Sequence, residues 1–572
     1  MNNISNLKLL KEVWDQVDQK KKLLLFFLFS LISAITDAVN IGMLIPFLKI
    51  LETPEIYKSY FFYELIFDSI KINYDPRILI LILFVSFLIV GTLFRVFINW
   101  YTLKISYLIS EQFASRIYEK VLYKDYLEHS QENSSKTLSD ITYRVNATTN
   151  LLMSFIIIFN NLVLSLFIIF TLLYISALKI GTVIFSIGII YVTITYIFRT
   201  RFNENSKIIS NNQTSLLKTL QEGLGGIKEV ILSSSQPFFV KEFNKSYSKL
   251  NQSLLFNNFF AQSPKLFIET FSILILLSFY YYSIIIGRNL TELIGLIGVL
   301  AFGAQKLIPS FQVIYQNWSN VTSNKFLVME ILKILKSNSN RTFNKLPIFF
   351  ERELKLKVNT FKYNENEDIV LKSVNLTIKK GEKIGIIGPS GSGKSTLINL
   401  IVGLIADFDG CIEIDGEKIN ENNIDSWRNQ ISYVPQNVFL FDSNLKSNIT
   451  FGSKNKEIKN LKEIVYKVKL NSFIRDRNLD EIELGERANK ISGGEKQRIA
   501  LARALFKEAS LIVIDEATNA LDKKVEKEIF DIIYNLDNVS IIVISHEIHN
   551  LYGCSTIYKL KDKTLLKHEK GI

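Results

Sequence analysis

The stretch Gly388-Pro389-Ser390-Gly391-Ser392-Gly393-Lys394-Ser395-Thr396 has the G-x-x-x-x-G-K-S spacing of a phosphate-binding loop. Its glycines let backbone N–H groups approach phosphate oxygens without a Cβ in the way. Lys394 then reaches the β/γ oxygens, and Ser395 is placed to bind Mg²⁺. Ile384–Ile387 reads as a strand before the loop and Ser395–Val402 as a helix after it, a context that a chance glycine-rich turn lacks.

Leu511-Ile512-Val513-Ile514-Asp515-Glu516 is an apolar strand ending in two carboxylates. Asp515 is expected to help hold Mg²⁺, directly or through water, and Glu516 to polarise an attacking water. Ile541–Ile544 is a second buried strand, followed by His546, which at a strand edge could contact a γ-phosphate or position water. Gln436 follows Ile431–Pro435 and could sense both the metal and the nucleophile, while Tyr363 offers an aromatic face for adenine ahead of the first core strands. Well downstream of the loop, Ile491-Ser492-Gly493-Gly494-Glu495-Lys496-Gln497-Arg498 opens its own predicted helix. A helix N-terminus rich in glycine is a second phosphate surface. One monomer needs one such cradle per nucleotide, so the surplus implies ATP sandwiched between two copies, each closing the other's site.

These residues need a scaffold, and the chain's composition divides it in two. With 572 residues it is long enough for at least two domains. Residues 1–315 hold long apolar runs, 316–351 read as a polar Asn- and Lys-rich connector, and 352–572 read as a charged α/β sequence. Hydrophobic residues make up 48% of the chain and mean hydropathy is positive, which suits partial solvation by lipid. The net charge of +12 comes from basic residues spread beside apolar segments, with no compact basic-aromatic surface, so nucleic acid is not an expected partner. Two cysteines, Cys411 and Cys554, are too few for a disulfide framework, and four histidines offer no metal-ligand spacing.

Six segments have the roughly 20 apolar residues of a membrane span: about 23–50, 78–99, 151–175, 180–198, 266–287 and 291–315. The basic run Lys20-Lys21-Lys22 sets the N-terminus on the cytoplasmic side, and six crossings return the chain to ATP. The connections 100–150 and 199–265 are charged and helix-like, so spans 2 to 5 are expected to continue as helices into the cytoplasm. Ser176–Lys179 and Arg288–Leu290 read as tight external turns, and 51–76 as an external segment with a surface helix. In the second half, β-branched runs alternate with helical stretches, which predicts a largely parallel sheet covered by helices. The fold class is therefore a membrane α-helical domain of six transmembrane helices plus an α/β P-loop domain. Twelve helices for a pore would need two chains.

In their order, these elements resemble the ATPase domain of ABC transporters. The carriers are Tyr363, the phosphate loop at 388–396, a Q-loop at Gln436, a signature at 491–495, the strand 511–516, a D-loop Ala520-Leu521-Asp522 and a switch His546. Glu483-Leu484-Gly485-Glu486-Arg487 resembles the exporter X-loop. Departures from the family pattern are Glu495 where glutamine is frequent, Ile491 for leucine and Asn519 for serine. The resemblance implies two ATP and Mg²⁺ bound head to tail, with Ser492, Gly493 and Gly494 of one copy closing over Lys394 of the other, and Asp522 among the nucleotide-site residues.

Six spans followed by this domain resemble type IV half-exporters. Within the membrane half, Ile35-Thr36-Asp37, Ile41–Leu48, Leu220–Glu229, Ser263-Pro264-Lys265 and Lys306–Ser310 resemble bacterial flippases of lipid-linked oligosaccharides. This implies a homodimer in the inner (plasma) membrane, in contact with membrane lipids, its ATPase domain cytoplasmic and its substrate a lipid-linked glycan. Charges inside spans are costly and mark function: here they are Asp37, Arg95, Lys265, Glu269 and Lys306. Arg95, Lys265 and Lys306 would form a basic wall for a pyrophosphate-linked lipid; alternatively, Arg95 and Lys265 snorkel at span ends and Lys265 pairs with Glu269. An exporter of peptides, lipids or drugs would share every ATPase motif, although no peptidase domain precedes span 1. A soluble ATPase acting on DNA is excluded by the spans.

Overall fold

The computed structural model describes residues 5–43, 76–175, 177–285, 290–336, 346–451, 461–474, 478–485, 490–516 and 522–568. The chain divides into two compact units, one of helices and one built on sheets.

The helical unit contains α1 (Asn6–Asp15), α2 (Lys20–Gly42), α3 (Pro76–Leu122), α5 (Ser134–Ser139), α6 (Val145–Ile175), α7 (Ala177–Gly225), α8 (Ile227–Leu232), α9 (Gln236–Gln262), α10 (Pro264–Ile285) and α11 (Leu290–Lys336). A short π-helical turn, Asp140–Arg144, joins α5 to α6. Helices cover four of the six expected spans in full; in the other two, 23–50 and 266–287, they run to Gly42 and Ile285, and residues 44–50 and 286–287 lie outside the described residues. Among the described residues three stretches are long and apolar enough to cross a membrane: Lys20–Asn40, Leu81–Leu122 and Ser134–Leu173. At about 1.5 Å per residue, the 47 residues of α3 reach about 70 Å, more than twice a bilayer core of roughly 30 Å. Spans do continue as helices, as the charged connections predict. What holds the extensions is a stripe at helical spacing, Ile98, Ile105, Ile109, Phe113, Ile117 and Val121, buried with Leu9, Val13, Val328 and Ile331.

Two expectations shift. Residues 316–336, read as connector, are the continuation of α11. Their polar residues recur with apolar ones that bury Val321, Leu327, Val328 and Ile331, a helical pattern that composition alone hides. Ala177–Lys179, read as turn, already lie in α7. The external segment 51–75 and Arg288 fall outside the described residues.

The second unit includes α4 (Tyr126–Gln131), a piece of the first long connection. Leu127 packs on its core and Gln131 Nε2 donates to Asn364 Oδ1 at 3.2 Å. Its larger sheet has the order β10-β9-β3-β8-β7-β6. The strands are β3 (Lys383–Ile387), β6 (Ile431–Val434), β7 (Leu511–Asp515), β8 (Ser540–Ile544), β9 (Thr556–Lys561) and β10 (Thr564–His568). All pairings are parallel except β9–β10. A smaller antiparallel sheet, not anticipated from sequence, has the order β2-β1-β4-β5: β1 (Glu353–Phe361), β2 (Leu371–Lys379), β4 (Asp409–Ile414) and β5 (Glu417–Lys418). The continuous apolar runs of β7 and β8 are explained by burial on both faces. Ile512, Ile514, Ile541 and Val543 enter one core, Leu511, Val513, Ile542 and Ile544 the other.

Candidate active site

The parallel strands β3, β8, β7 and β6 end side by side, and every strand-end residue singled out from the sequence lies at that edge. This is where open α/β sheets bind ligands. From β3 the chain enters the phosphate loop and then α12 (Lys394–Ile401). The helix starts one residue earlier than its sequence suggests, because Gly393 takes the N-cap at φ +102° with no side-chain cap. Gly391 also has positive φ, +77°. A Cβ on Gly388 would lie 2.7 Å from the Leu560 carbonyl and 2.8 Å from Ser392 Oγ, so only glycine fits. Lys394 is buried, its ammonium donating to the carbonyls of Gly388 (2.8 Å) and Pro389 (3.1 Å). Ser392 Oγ is buried without a hydrogen-bond partner among the described residues. An uncapped helix N-terminus, an enclosed cation and an orphan hydroxyl together fit a phosphate chain. Ser395 and Asp515 supply the hard oxygen ligands that Mg²⁺ favours.

Glu516 follows β7 at φ +49°, an uncommon conformation for a residue with a side chain. Its N–H donates to the Ile544 carbonyl at 3.2 Å, which fixes the turn. The carboxylate is held from both sides: Gln436 Nε2 donates to Oε2 at 2.9 Å, and His546 Nε2 lies 2.8 Å from Oε1. Three strand ends thus converge on one carboxylate. Beside it, Asp515 Oδ2 accepts from the Tyr433 hydroxyl at 3.0 Å. Burial pushes the Asp515 carboxyl above the usual carboxylate range. The Tyr433 hydrogen bond opposes this, the Glu516 charge adds to it and the Lys394 charge opposes it. Burial likewise raises the Tyr433 hydroxyl, with the Asp515 charge reinforcing it.

Tyr363 follows β1 rather than preceding the first strands. Its ring packs edge-on to Phe361, and its hydroxyl is 2.8 Å from Thr396 Oγ1. The residue is therefore tied to the helix that carries the phosphate loop.

Ser492 is the N-cap of α13 (Gly493–Lys507). Its hydroxyl accepts from the Glu495 N–H at 3.3 Å, and Glu495 Oε2 accepts from the Ser492 N–H at 2.7 Å and its hydroxyl at 2.8 Å. This capping box explains why glutamate is accommodated at 495: it orders Ser492, Gly493 and Gly494. Asp522 is the N-cap of α14 (Lys523–Tyr534) without a side-chain capping bond. Ala520 and Leu521 of the expected D-loop, Asn519 beside them, and Glu486 and Arg487 of the expected X-loop lie outside the described residues.

Sequence reasoning missed two contributors. Tyr433 gave no motif signal, being one aromatic in a short strand. Glu495 was legible as the S-x-x-E capping pattern. In the membrane half, Arg95 and Lys306 converge on Asp37, while Lys265 pairs with Glu269 at 3.6 Å. The three expected basic-wall residues are thus each engaged with a carboxylate.

Comparisons with known proteins agree with this geometry. Residues 371–519 match the ABC transporter family, and 23–302 match the ABC transporter transmembrane region. The chain is 30% identical over 389 residues to the lactococcin-G-processing and transport ATP-binding protein of Lactococcus lactis, covering 66% of this chain and 54% of that one. It is 26% identical over 438 residues to the ATP-dependent lipid A-core flippase of Alkalilimnicola ehrlichii, covering 75% and 74%. The solved structure of a bacterial Atm1-family ABC exporter with ATP bound has the same fold, with a TM-score of 0.77 at 18% identity, over 96% of this chain and 94% of that one. With both family regions in this order, the chain belongs to the ABC transporters: a membrane protein carrying an exporter-type transmembrane domain followed by its ATPase domain.

Proposed function

We propose that this chain hydrolyses ATP to drive export or flipping across the plasma membrane, working as a homodimer on a lipid-linked oligosaccharide or polysaccharide precursor. The observation that carries the ATPase part is Glu516, held between Gln436 and His546 beside the phosphate loop. Lys394 and the N–H groups opening α12 hold the phosphates, and Tyr363 presents its ring to the adenine. Ser395, Asp515 and Gln436 would hold Mg²⁺, which supplies charge neutralisation on the phosphates when bound. Glu516 takes the proton of the attacking water, with Gln436 and His546 fixing the direction of its carboxylate. Ser492, Gly493, Gly494 and Asp522 of a second copy complete each site across a head-to-tail pair. Closing and reopening of that pair turns the cavity of the membrane domains from one side to the other. The helical unit, with α11 running on to Lys336, is the membrane domain and 352–572 the ATPase, and the Lys20–Lys22 charge run supports a cytoplasmic ATPase.

For the cargo, the support is the net positive cluster of Arg95 and Lys306 in the membrane half together with the flippase-like segments around Asp37 and Leu220–Glu229. A relative named for lipid A-core flipping and another named for lactococcin-G transport keep a second reading: export of another lipid, a peptide or a hydrophobic small molecule. The test is the purified chain in liposomes. Undecaprenyl-linked glycan is expected to stimulate hydrolysis and to cross the bilayer in an ATP-dependent manner. Stimulation by lipid A-core or peptide, with none by the glycan, would overturn the cargo reading and leave the ATPase reading intact.

A further inference from the structure

Within the helical unit, Asp37 of α2 is 2% exposed, and two cations from two other helices approach the same oxygen. Arg95 NH1 of α3 lies 3.7 Å from Oδ1 and Lys306 Nζ of α11 lies 3.6 Å from it. Neither is at hydrogen-bond distance, and both carboxylate oxygens are buried without a donor among the described residues. One turn along, Asn40 is equally buried, and neither of its amide atoms has a partner among the described residues. Gly91, a turn before Arg95, makes the room: a Cβ there would sit 2.9 Å from Asn40 Nδ2. Ser30, Ser33, Asp37 and Asn40 are all 3% exposed or less and recur at helical spacing, so one buried face of a membrane helix is polar.

Buried polar atoms without partners are costly, more so where lipid is the solvent, and persist at functional sites. The exposures give the cluster a front and a back. The Arg95 and Lys306 side chains are 40% and 24% exposed, the Asp37 side chain 2%. A full charge-assisted hydrogen bond forms near 2.7–2.9 Å, so at 3.6–3.7 Å the two cations are gathered by the carboxylate without being quenched by it. Two cations against one carboxylate leave a net positive charge. Without Asp37 they would repel one another in a low-dielectric setting.

We propose that Asp37 is a positioning residue for the cargo: from behind, it holds Arg95 and Lys306 at one point so that their outer faces receive a phosphate group of the lipid. Asn40 is the neutral partner available to the carboxylate when the cations turn to that phosphate. This rests on the reading of the cargo as a phosphate-bearing lipid.

The test uses the full chain in nanodiscs and measures ATP hydrolysis against an isoprenoid diphosphate, with the isoprenol and inorganic pyrophosphate as controls. Asp37→Asn is expected to raise the half-saturating isoprenoid diphosphate concentration about tenfold, a larger change than any fall in maximal rate, and Asp37→Glu to recover most of it. Wild-type half-saturation in Asp37→Asn would overturn the proposal. A response to pyrophosphate equal to that of the lipid would overturn the lipid as the source of the phosphate. In parallel, Tm is measured for Asp37→Asn, Lys306→Gln and the double variant. Non-additive shifts support the cluster whatever the cargo, and additive shifts overturn the proposal. Non-additive shifts with no response of the wild type to isoprenoid diphosphate would overturn the phosphate cargo, and Asp37's role toward it, while leaving the ion cluster standing.

Discussion

Replacing Glu516 with glutamine separates the two things this carboxylate does. It accepts a hydrogen bond from Gln436 on one oxygen and meets His546 Nε2 on the other, at 2.9 and 2.8 Å. An amide keeps one acceptor oxygen and turns an NH₂ toward the other neighbour. Against Gln436 that is donor facing donor; against His546 it is tolerated only if Nε2 carries no proton. Glu516→Gln therefore loses at most one contact of the charged kind, about 1.5–3 kcal/mol, or roughly a factor of 10 to 150 if it were all expressed in the rate. Loss of the proton acceptor itself is a further factor of about 10²–10⁴. Hydrolysis is thus expected to fall at least about a hundredfold, and about a thousandfold or more if the lost contact is expressed in the rate, while Gln436→Ala and His546→Ala, which remove one anchor and keep the base, fall by about 10- to 100-fold. Phosphate release at saturating MgATP measures the rates, and a fluorescent nucleotide checks that ATP is still bound. Glu516→Gln hydrolysing within about threefold of the wild type, or no more impaired than Gln436→Ala, would refute the role given to Glu516.

Gly388→Ala sets a Cβ 2.7 Å from a backbone carbonyl of β9, which cannot swing aside, so the loop must move. ATP Kd is expected to rise at least about tenfold by nucleotide titration, and unchanged binding would contradict the loop geometry. Glu495→Ala removes the acceptor of two Ser492 hydrogen bonds and is expected to cost about 1 kcal/mol in denaturant unfolding, whereas Glu495→Gln keeps the box within a few tenths; equal losses would argue against it. For Asp515 the folded carboxyl is raised by burial, so it binds a proton more readily folded than unfolded. Its contribution to stability is complete below the unfolded pKa and is lost as pH rises through the raised folded value. Asp515→Asn is then expected to raise Tm at neutral pH, with the gap closing on acidification, while Mg²⁺-dependent hydrolysis disappears; a gap independent of pH would refute the cause given for the shift.

The candidate site's positions were legible because each residue sits where the backbone changes state. Gly393 marks a helix start that needs positive φ, Asp515 and His546 follow runs of β-branched residues, and Ser492 precedes an amphipathic helix. Such boundaries are written in residue type. Contacts between strands are not. Nothing around Tyr433 in sequence tells that its hydroxyl meets Asp515, because that contact depends on β6 lying next to β7 in the sheet. The smaller sheet was missed for a related reason. β1 and β4 pair across the whole phosphate loop and its helix, and the alternation in β1 reads equally well as any half-buried strand.

In the membrane half, the local partner was legible and the long-range ones were not: the alternative that pairs Lys265 with Glu269 is what the structure has. Charges within apolar runs identified Asp37, Arg95, Lys265 and Lys306 as costly, and the sequence reading gathered the three cations into one wall. The structure sorts them by helix geometry. Lys265 and Glu269 are four residues apart on one helix, so they pair locally. Arg95 and Lys306 come from helices far apart in sequence and meet only because Asp37 lies between them. A wall of three free cations would bind any anion. On the proposed role of Asp37, a pair gathered by a buried carboxylate would favour a ligand that offers more than one oxygen at short range, since such a ligand competes with Asp37 for both cations. If Asp37 has the positioning role proposed above, the carboxylate, and not the number of positive charges, sets what the pair accepts.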